Sequence, residues 1–236
     1  MALPKLNNSP RYELKIPSSN KTIRYRPFLM KEEKNLLIAM ESKNTKTIFG
    51  TLLDTINACV EDDNINDNTL TSFDVEYMFL QMRAKSVGET AKVGASCTSC
   101  EKTEEIQVKL DDIKINMPDV NKVIDLDGSI KLEVDWPAFK DIIKTEIETE
   151  EVSAEQVFKI MKYCFKSIIT EEEKINLKEV PESELNEFID SMDAKQFGKI
   201  REFVELIPKL EHTVNFTCEC GHENELVVEG VANFLS

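Results

Sequence analysis

The sequence predicts an α+β chain: a helix-rich body that carries an N-terminal β-hairpin and two further β-hairpins, each tipped by a pair of cysteines. Three observations predict it. Apolar residues recur at helical spacing through much of 29–86 and of the segment after residue 137. The period becomes strictly alternating near both ends and again around 89–110. The cysteines outside the helices fall in two short clusters, "SCTSC" at 96–100 and "TCECGHE" at 217–223.

In chain order, "YELKIP" (12–17) and "KTIRYRP" (21–27) alternate on either side of the turn-forming Ser18-Ser19-Asn20 and read as a β-hairpin. Pro27 ends that ladder. "LMKEEKNLLIAMES" (29–42) then sets Leu36, Leu37 and Met40 at helical spacing behind an acidic first turn. The stripe Ile48, Phe49, Leu52, Leu53, Ile56, Cys59, Val60 gives a second helix, broken by the polar "EDDNINDN" at 61–68. A third, about 70–86, is broadly apolar and therefore central. "TAKVGAS" leads into the first cysteine pair and "EEIQVKL" leads out, a strand, a tight knuckle and a strand. Short strands follow at 122–126 and 130–135 around Asp127-Gly128. Beyond Trp136-Pro137 the spacing of Phe158, Met161, Phe165, Ile168 and Ile169 predicts a helix, Pro181 with Glu182 and Glu184 opens another, and 193–206 gives the last, before Pro208. The final 28 residues return to strands around the second cluster. The expected organisation is residues 1–88 as hairpin plus helices, 89–136 with 209–236 as one split β subdomain, and 137–208 as a helical insertion.

Aligned on Cys100 and Cys220, the clusters match in register: Glu105 falls on Glu225, Ile106 on Leu226 and Val108 on Val228. Two such tips facing each other supply the four soft ligands that a structural zinc ion takes in a closed tetrahedron. Cys97, Cys100, Cys218 and Cys220 are thus the expected ligands of a split zinc ribbon, and the long insertion between the halves is tolerable because loop-closure entropy grows only logarithmically. The second knuckle has one residue between its cysteines where the first has two, which leaves open whether His222 replaces Cys218 or Cys220. Gly221 suits a tight turn whose amides point at a thiolate.

Other residues read as structural. Cys59 and Cys164 lie in apolar helices and are expected in the core. His212 is expected alone at the surface, Trp136 as a packing anchor, and the acidic runs at 146–155 and 170–174 as solvated faces or, more sharply, a patch for a basic partner. The chain shows no phosphate loop, nucleophile elbow or zincin helix, so no enzyme is expected. A formal charge of −15 repels phosphate backbones and anionic lipid, the opening segment has neither the basic head nor the apolar stretch expected of a signal peptide, and no apolar run approaches the about 18 residues a bilayer requires. Neither nucleic acid nor membrane is an expected partner.

The opening, "MALPKLNNSPRYELKIPSSNKTIRYRPFLMKEEKNLLIAMES", with its hairpin, "YRPFL" and "KEEKNLL", resembles the baseplate hub assembly proteins and hub subunits of T-even-type contractile-tailed phages. The likeness runs on through "FDVEYMFLQMRAKSVGE" and the paired cysteines, covering most of the chain. It implies a non-enzymatic viral protein, a hub component or an assembly factor and chaperone. Its partners would be other tail, hub or tape-measure proteins. It would act in the host cytoplasm during assembly and in the tail baseplate of the virion. Two other classes compete. A zinc-ribbon adaptor in transcription or nucleic-acid handling needs a basic patch, whereas the knuckles carry Glu101, Glu104, Glu105, Glu219, Glu223 and Glu225. A thiol oxidoreductase would be favoured by a depressed pKa at Cys97.

Overall fold

The computed structural model describes residues 9–61, 68–145 and 154–230. The fold is α+β, with four small antiparallel sheets and seven α-helices among the described residues. The chain forms two compact units. One is built from residues within Met1–Asn66, Ser72–Asn116 and Lys209–Ser236, the other from those within Asp67–Thr71 and Met117–Pro208.

The first unit opens with the N-terminal hairpin, β1 (Tyr12–Lys15) paired with β2 (Thr22–Tyr25), turned through Asn20 at φ 56°. Helix α1 (Met30–Glu41) begins where Glu32 reaches back to accept the Leu29 N–H at 2.9 Å, half of a capping box. The same carboxylate meets the Arg26 guanidinium at 3.1 Å. Helix α2 (Thr45–Cys59) is capped by Asn44, whose side chain accepts the Thr47 N–H at 2.9 Å. Helix α3 (Ser72–Ser86) is the centre of the unit, with Phe73, Val75, Met78, Phe79, Leu80 and Met82 all buried, in agreement with its apolar residues on nearly every side. It packs against the 3₁₀ turn Leu110–Asp112 and the foot of the β region.

That β region has two hairpins. β3 (Thr90–Ser96) pairs with β4 (Thr103–Lys109), and β10 (Leu210–Thr217) pairs with β11 (Glu223–Glu229). A two-residue strand, β5 (Lys114–Ile115), adds to β10 through Leu210↔Ile115 and Glu211↔Lys114. This pairing holds the chain's exit from the unit beside its return. His212 lies within β10, half-buried opposite Val228, where the sequence placed it ahead of the strand at the surface.

In the second unit β6 (Val123–Asp125), β7 (Lys131–Val134), β8 (Phe165–Ile169) and β9 (Lys174–Asn176) form an antiparallel sheet in that order. Helices α4 (Phe139–Lys144), α5 (Ala154–Cys164), α6 (Glu182–Asp190) and α7 (Ala194–Glu205) complete it. Trp136 is a buried packing residue, stacked on Phe203 with centroids 4.6 Å apart. One expectation fails here: Phe165, Ile168 and Ile169 do not continue the helix of Phe158 and Met161 but form β8. "FKSII" fits both periods, and pairing with β7 and β9 on its two sides decides between them.

Cys59 and Cys164 are fully buried, and burial pushes their thiols up to about 11 and about 12, as for small core hydrophobes. Glu171, Glu172 and Glu173 sit exposed in the turn joining β8 to β9. The polar break at 61–68 and the acidic run at 146–155 fall largely outside the described residues.

Candidate metal centre

Strand alternation delivers the first cysteine of each cluster. Ala91, Val93 and Ala95 are the inward residues of β3, and Cys97 is the next inward position; Leu210 and Val214 mark the inward phase of β10 that ends on Cys218. Both are only 2% exposed. Each chain then turns sharply. In the first knuckle Cys97 N–H donates to Lys102 O and Glu101 N–H to Cys97 O, both at 2.9 Å. In the second, Cys218 N–H donates to His222 O at 2.9 Å and Gly221 N–H to Cys218 O at 2.8 Å. The second loop is one residue shorter, which is how its cysteine spacing is accommodated. In both, the residue after the second cysteine is left-handed: Glu101 at φ 59° and Gly221 at φ 87°.

The four sulfurs, Cys97, Cys100, Cys218 and Cys220, lie within 4.8 Å of one another. Across the knuckles, Cys97 Sγ is 3.8 Å from Cys220 Sγ and Cys100 Sγ is 3.6 Å from Cys218 Sγ. A disulfide needs about 2.05 Å. A tetrahedron with metal–sulfur bonds of about 2.3 Å has edges of about 3.8 Å. The donor set and its spacing fit a tetrathiolate ion.

Backbone amides converge on these sulfurs. The Ser99 N–H lies 3.4 Å from Cys97 Sγ, and the Cys100, Lys102, Cys220 and His222 amides serve Cys97, Cys100, Cys218 and Cys220 respectively. At Cys97 burial opposes ionisation, but the Cys100 and Ser99 amides, the Asn224 side chain and the Cys100 thiol outweigh it and bring the group down to about 6. The other three shift upward. At Cys100 and Cys220 the Lys102 and His222 amides favour the thiolate, at Cys218 the Cys220 amide does, and neighbouring sulfurs with burial override each of them.

His222 does not join this group. Its Nε2 lies 3.1 Å from Thr98 Oγ1, on the opposite knuckle. Asn224, the buried first inward residue of β11, accepts the Thr98 N–H at 2.9 Å and the Thr98 hydroxyl at 3.0 Å, and its amide nitrogen lies 3.5 Å from Cys97 Sγ. Glu104, the matching residue of β4, accepts the Glu219 N–H at 3.2 Å, and Lys102 pairs with Glu219. Asn224 went unnoticed in the sequence, although a polar residue in phase with Leu226 and Val228 is the signal that marks it. Glu76 was missed too. On α3, it accepts the N–H of Leu210 at the foot of β10, and burial raises its carboxyl to about 7.

A family model described as T4 bacteriophage base plate protein matches residues 9–236. The chain belongs to the T4 bacteriophage base plate protein family. This base plate protein therefore presents its split cysteine site within a match that covers both knuckles. Comparison with curated proteins and with solved structures returns no match. Among the described residues no helix is long and apolar enough to cross a membrane.

Proposed function

We propose that this base plate protein is a non-enzymatic component or assembly factor of the baseplate hub, a chaperone-like body that acts through protein–protein contacts and is stapled by one structural zinc ion. The observation that carries the staple is the closing of four sulfurs, from segments 118 residues apart at Cys100 and Cys218, at separations of 3.6 and 3.8 Å across the knuckles. Cys97, Cys100, Cys218 and Cys220 would hold the ion. Filled by four thiolates, it has no open position and supplies rigidity in place of chemistry. The hub rests on the likeness of the N-terminal segments, and the base plate family supports a place among tail proteins.

Exposed apolar side chains support a role in contacts. On α1, Met30, Leu37 and Ile38 are 71%, 55% and 54% exposed, a concentration that suits hub or tape-measure partners. Exposed Glu101, Glu105, Glu219, Glu223 and Glu225 around the knuckles oppose phosphate binding and disfavour the nucleic-acid adaptor. The protein would meet its partners in the host cytoplasm and take its place in the tail baseplate. Metal analysis of the purified chain, joined to capture assays against tail and hub proteins, tests the reading: one zinc per chain, and capture that chelation abolishes. Metal-free protein that melts and captures its partners unchanged would overturn it.

A further inference from the structure

Asn224 touches both knuckles and a sulfur at once. Its carbonyl oxygen accepts the N–H and the hydroxyl of Thr98, on the first knuckle, at 2.9 and 3.0 Å. Its amide nitrogen donates to His222 O, on the second knuckle, at 3.1 Å and lies 3.5 Å from Cys97 Sγ. The residue is 6% exposed, so these bonds form away from water and an unpaired amide there would be costly.

The two hairpins exchange matching contacts. The residue after the first cysteine of each knuckle, Thr98 or Glu219, donates its N–H to the first inward residue of the other hairpin's outgoing strand, Asn224 or Glu104. The match ends at the chemistry of the acceptors. Glu104 offers only oxygen, whereas Asn224 also offers N–H donors, and it faces the cysteine that lies deepest in its own knuckle. An amide meets both needs at this point: it accepts from Thr98 and donates toward sulfur. A carboxylate would accept equally well, but it would set a negative charge against four thiolates.

We propose that Asn224 is the positioning residue of the metal centre: it locks the two knuckles in register and donates to the Cys97 thiolate, so that the tetrahedron is held ready for zinc. This assignment rests on the zinc-staple reading above. Outer-shell donors of this kind typically govern about 10- to 100-fold in metal affinity.

The test is zinc affinity measured by competition with a chromophoric chelator for the parent chain, Asn224→Ala and Asn224→Asp, together with the sulfur-to-metal charge-transfer spectrum of each chain loaded with cobalt(II). Asn224→Ala should bind zinc about 10- to 100-fold more weakly. Asn224→Asp, nearly isosteric and still able to accept from Thr98, should bind no better than Asn224→Ala. Loss of the N–H donor leaves a more electron-rich sulfur, so the cobalt band should move to longer wavelength in both variants. Thr98→Val, which removes the hydroxyl and keeps the backbone N–H, provides a milder variant that should weaken zinc a few-fold. A purely structural role predicts that Asp outperforms Ala and that the cobalt band stays in place, and either result overturns the assignment. A parent chain that takes up no zinc overturns the staple itself, a distinct result from variants that match a zinc-binding parent.

Discussion

Removing the metal should destabilise the chain by an amount that the β5–β10 pairing sets. Treated as a cross-link that closed the whole 118-residue span from Cys100 to Cys218, zinc would contribute about 5 kcal/mol through loop-closure entropy. Leu210↔Ile115 and Glu211↔Lys114 already hold the far segments side by side, however. The ring left for zinc to close is about two dozen residues, for which the same relation gives about 3.5 kcal/mol. At roughly 2–4 °C per kcal/mol for a chain of this size, chelation should lower the melting temperature by roughly 7–14 °C, and returning zinc should restore it. Calorimetric or circular-dichroism melts at matched ionic strength, with and without chelator, give the number. Cys97→Ser should fall in the same direction and lose partner capture. A shift below about 2 °C in a chain verified to be zinc-loaded would refute the staple, while a loss approaching 5 kcal/mol would refute the idea that β5–β10 carries most of the closure.

Three further outcomes follow from particular side chains. Gly221→Ala should cost about 1 kcal/mol, since a Cβ there meets nothing within 4 Å and the penalty is the left-handed backbone alone, while Glu101→Gly should be neutral or gain about 0.5 kcal/mol; denaturant melts giving both changes the same sign would break the equivalence of the knuckles. Two carboxyls should tilt stability oppositely with pH. Burial raises Glu76 to about 7, so the folded chain binds the extra proton, and stability should fall as pH rises from 4.5 to about 7. Glu76→Gln should flatten that slope. At Glu32 burial works against ionisation, but the Leu29 N–H and Arg26 outweigh it and lower the group; its contribution is present above pH 4.5 and lost as pH falls through the folded value. Glu32→Gln should remove that acid-side loss in melts taken across the range. Finally, Leu37→Glu, on the exposed face of α1, should leave the melting temperature within about 2 °C and weaken capture of baseplate partners; a folded variant that captures normally would place the contact elsewhere.

Much of the arrangement was legible because it is written in periodicity. The opening hairpin, α1, α2, the central α3 and both cysteine-tipped hairpins follow from alternation or helical spacing, and the shared register of Cys100 and Cys220 brings the halves together on paper. What escaped was decided by tertiary pairing. β5 has two residues and exists only because β10 lies beside it, and β8 carries a helical stripe that its neighbours on both sides overrule. At the site, the cysteine positions could be read directly, but Asn224 resembles any polar strand residue until the opposing Thr98 is in place. His222 stood as a rival ligand for the same reason, and its contact with Thr98 Oγ1 at 3.1 Å becomes visible only once the knuckles face each other.

The lowered Cys97 thiol meets one condition for a redox pair, and its burial withholds the other. A nucleophilic thiol needs a depressed pKa and access to its substrate at the same atom. Here the two properties are divided: Cys97, brought down to about 6, is 2% exposed, whereas the exposed Cys100 and Cys220 are shifted upward. The upward shifts combine two causes. The backbone amides aimed at the three sulfurs do not outweigh them: at Cys100 and Cys220 a neighbouring thiol raises the group most and burial adds to it, and at Cys218 burial leads. A divalent cation at their centre would remove that conflict, since it favours the thiolate at every ligand and leaves each amide hydrogen bond in place. Four clustered sulfurs, each met by a backbone amide, thus make a centre that a cation would complete, which is what the proposed staple requires.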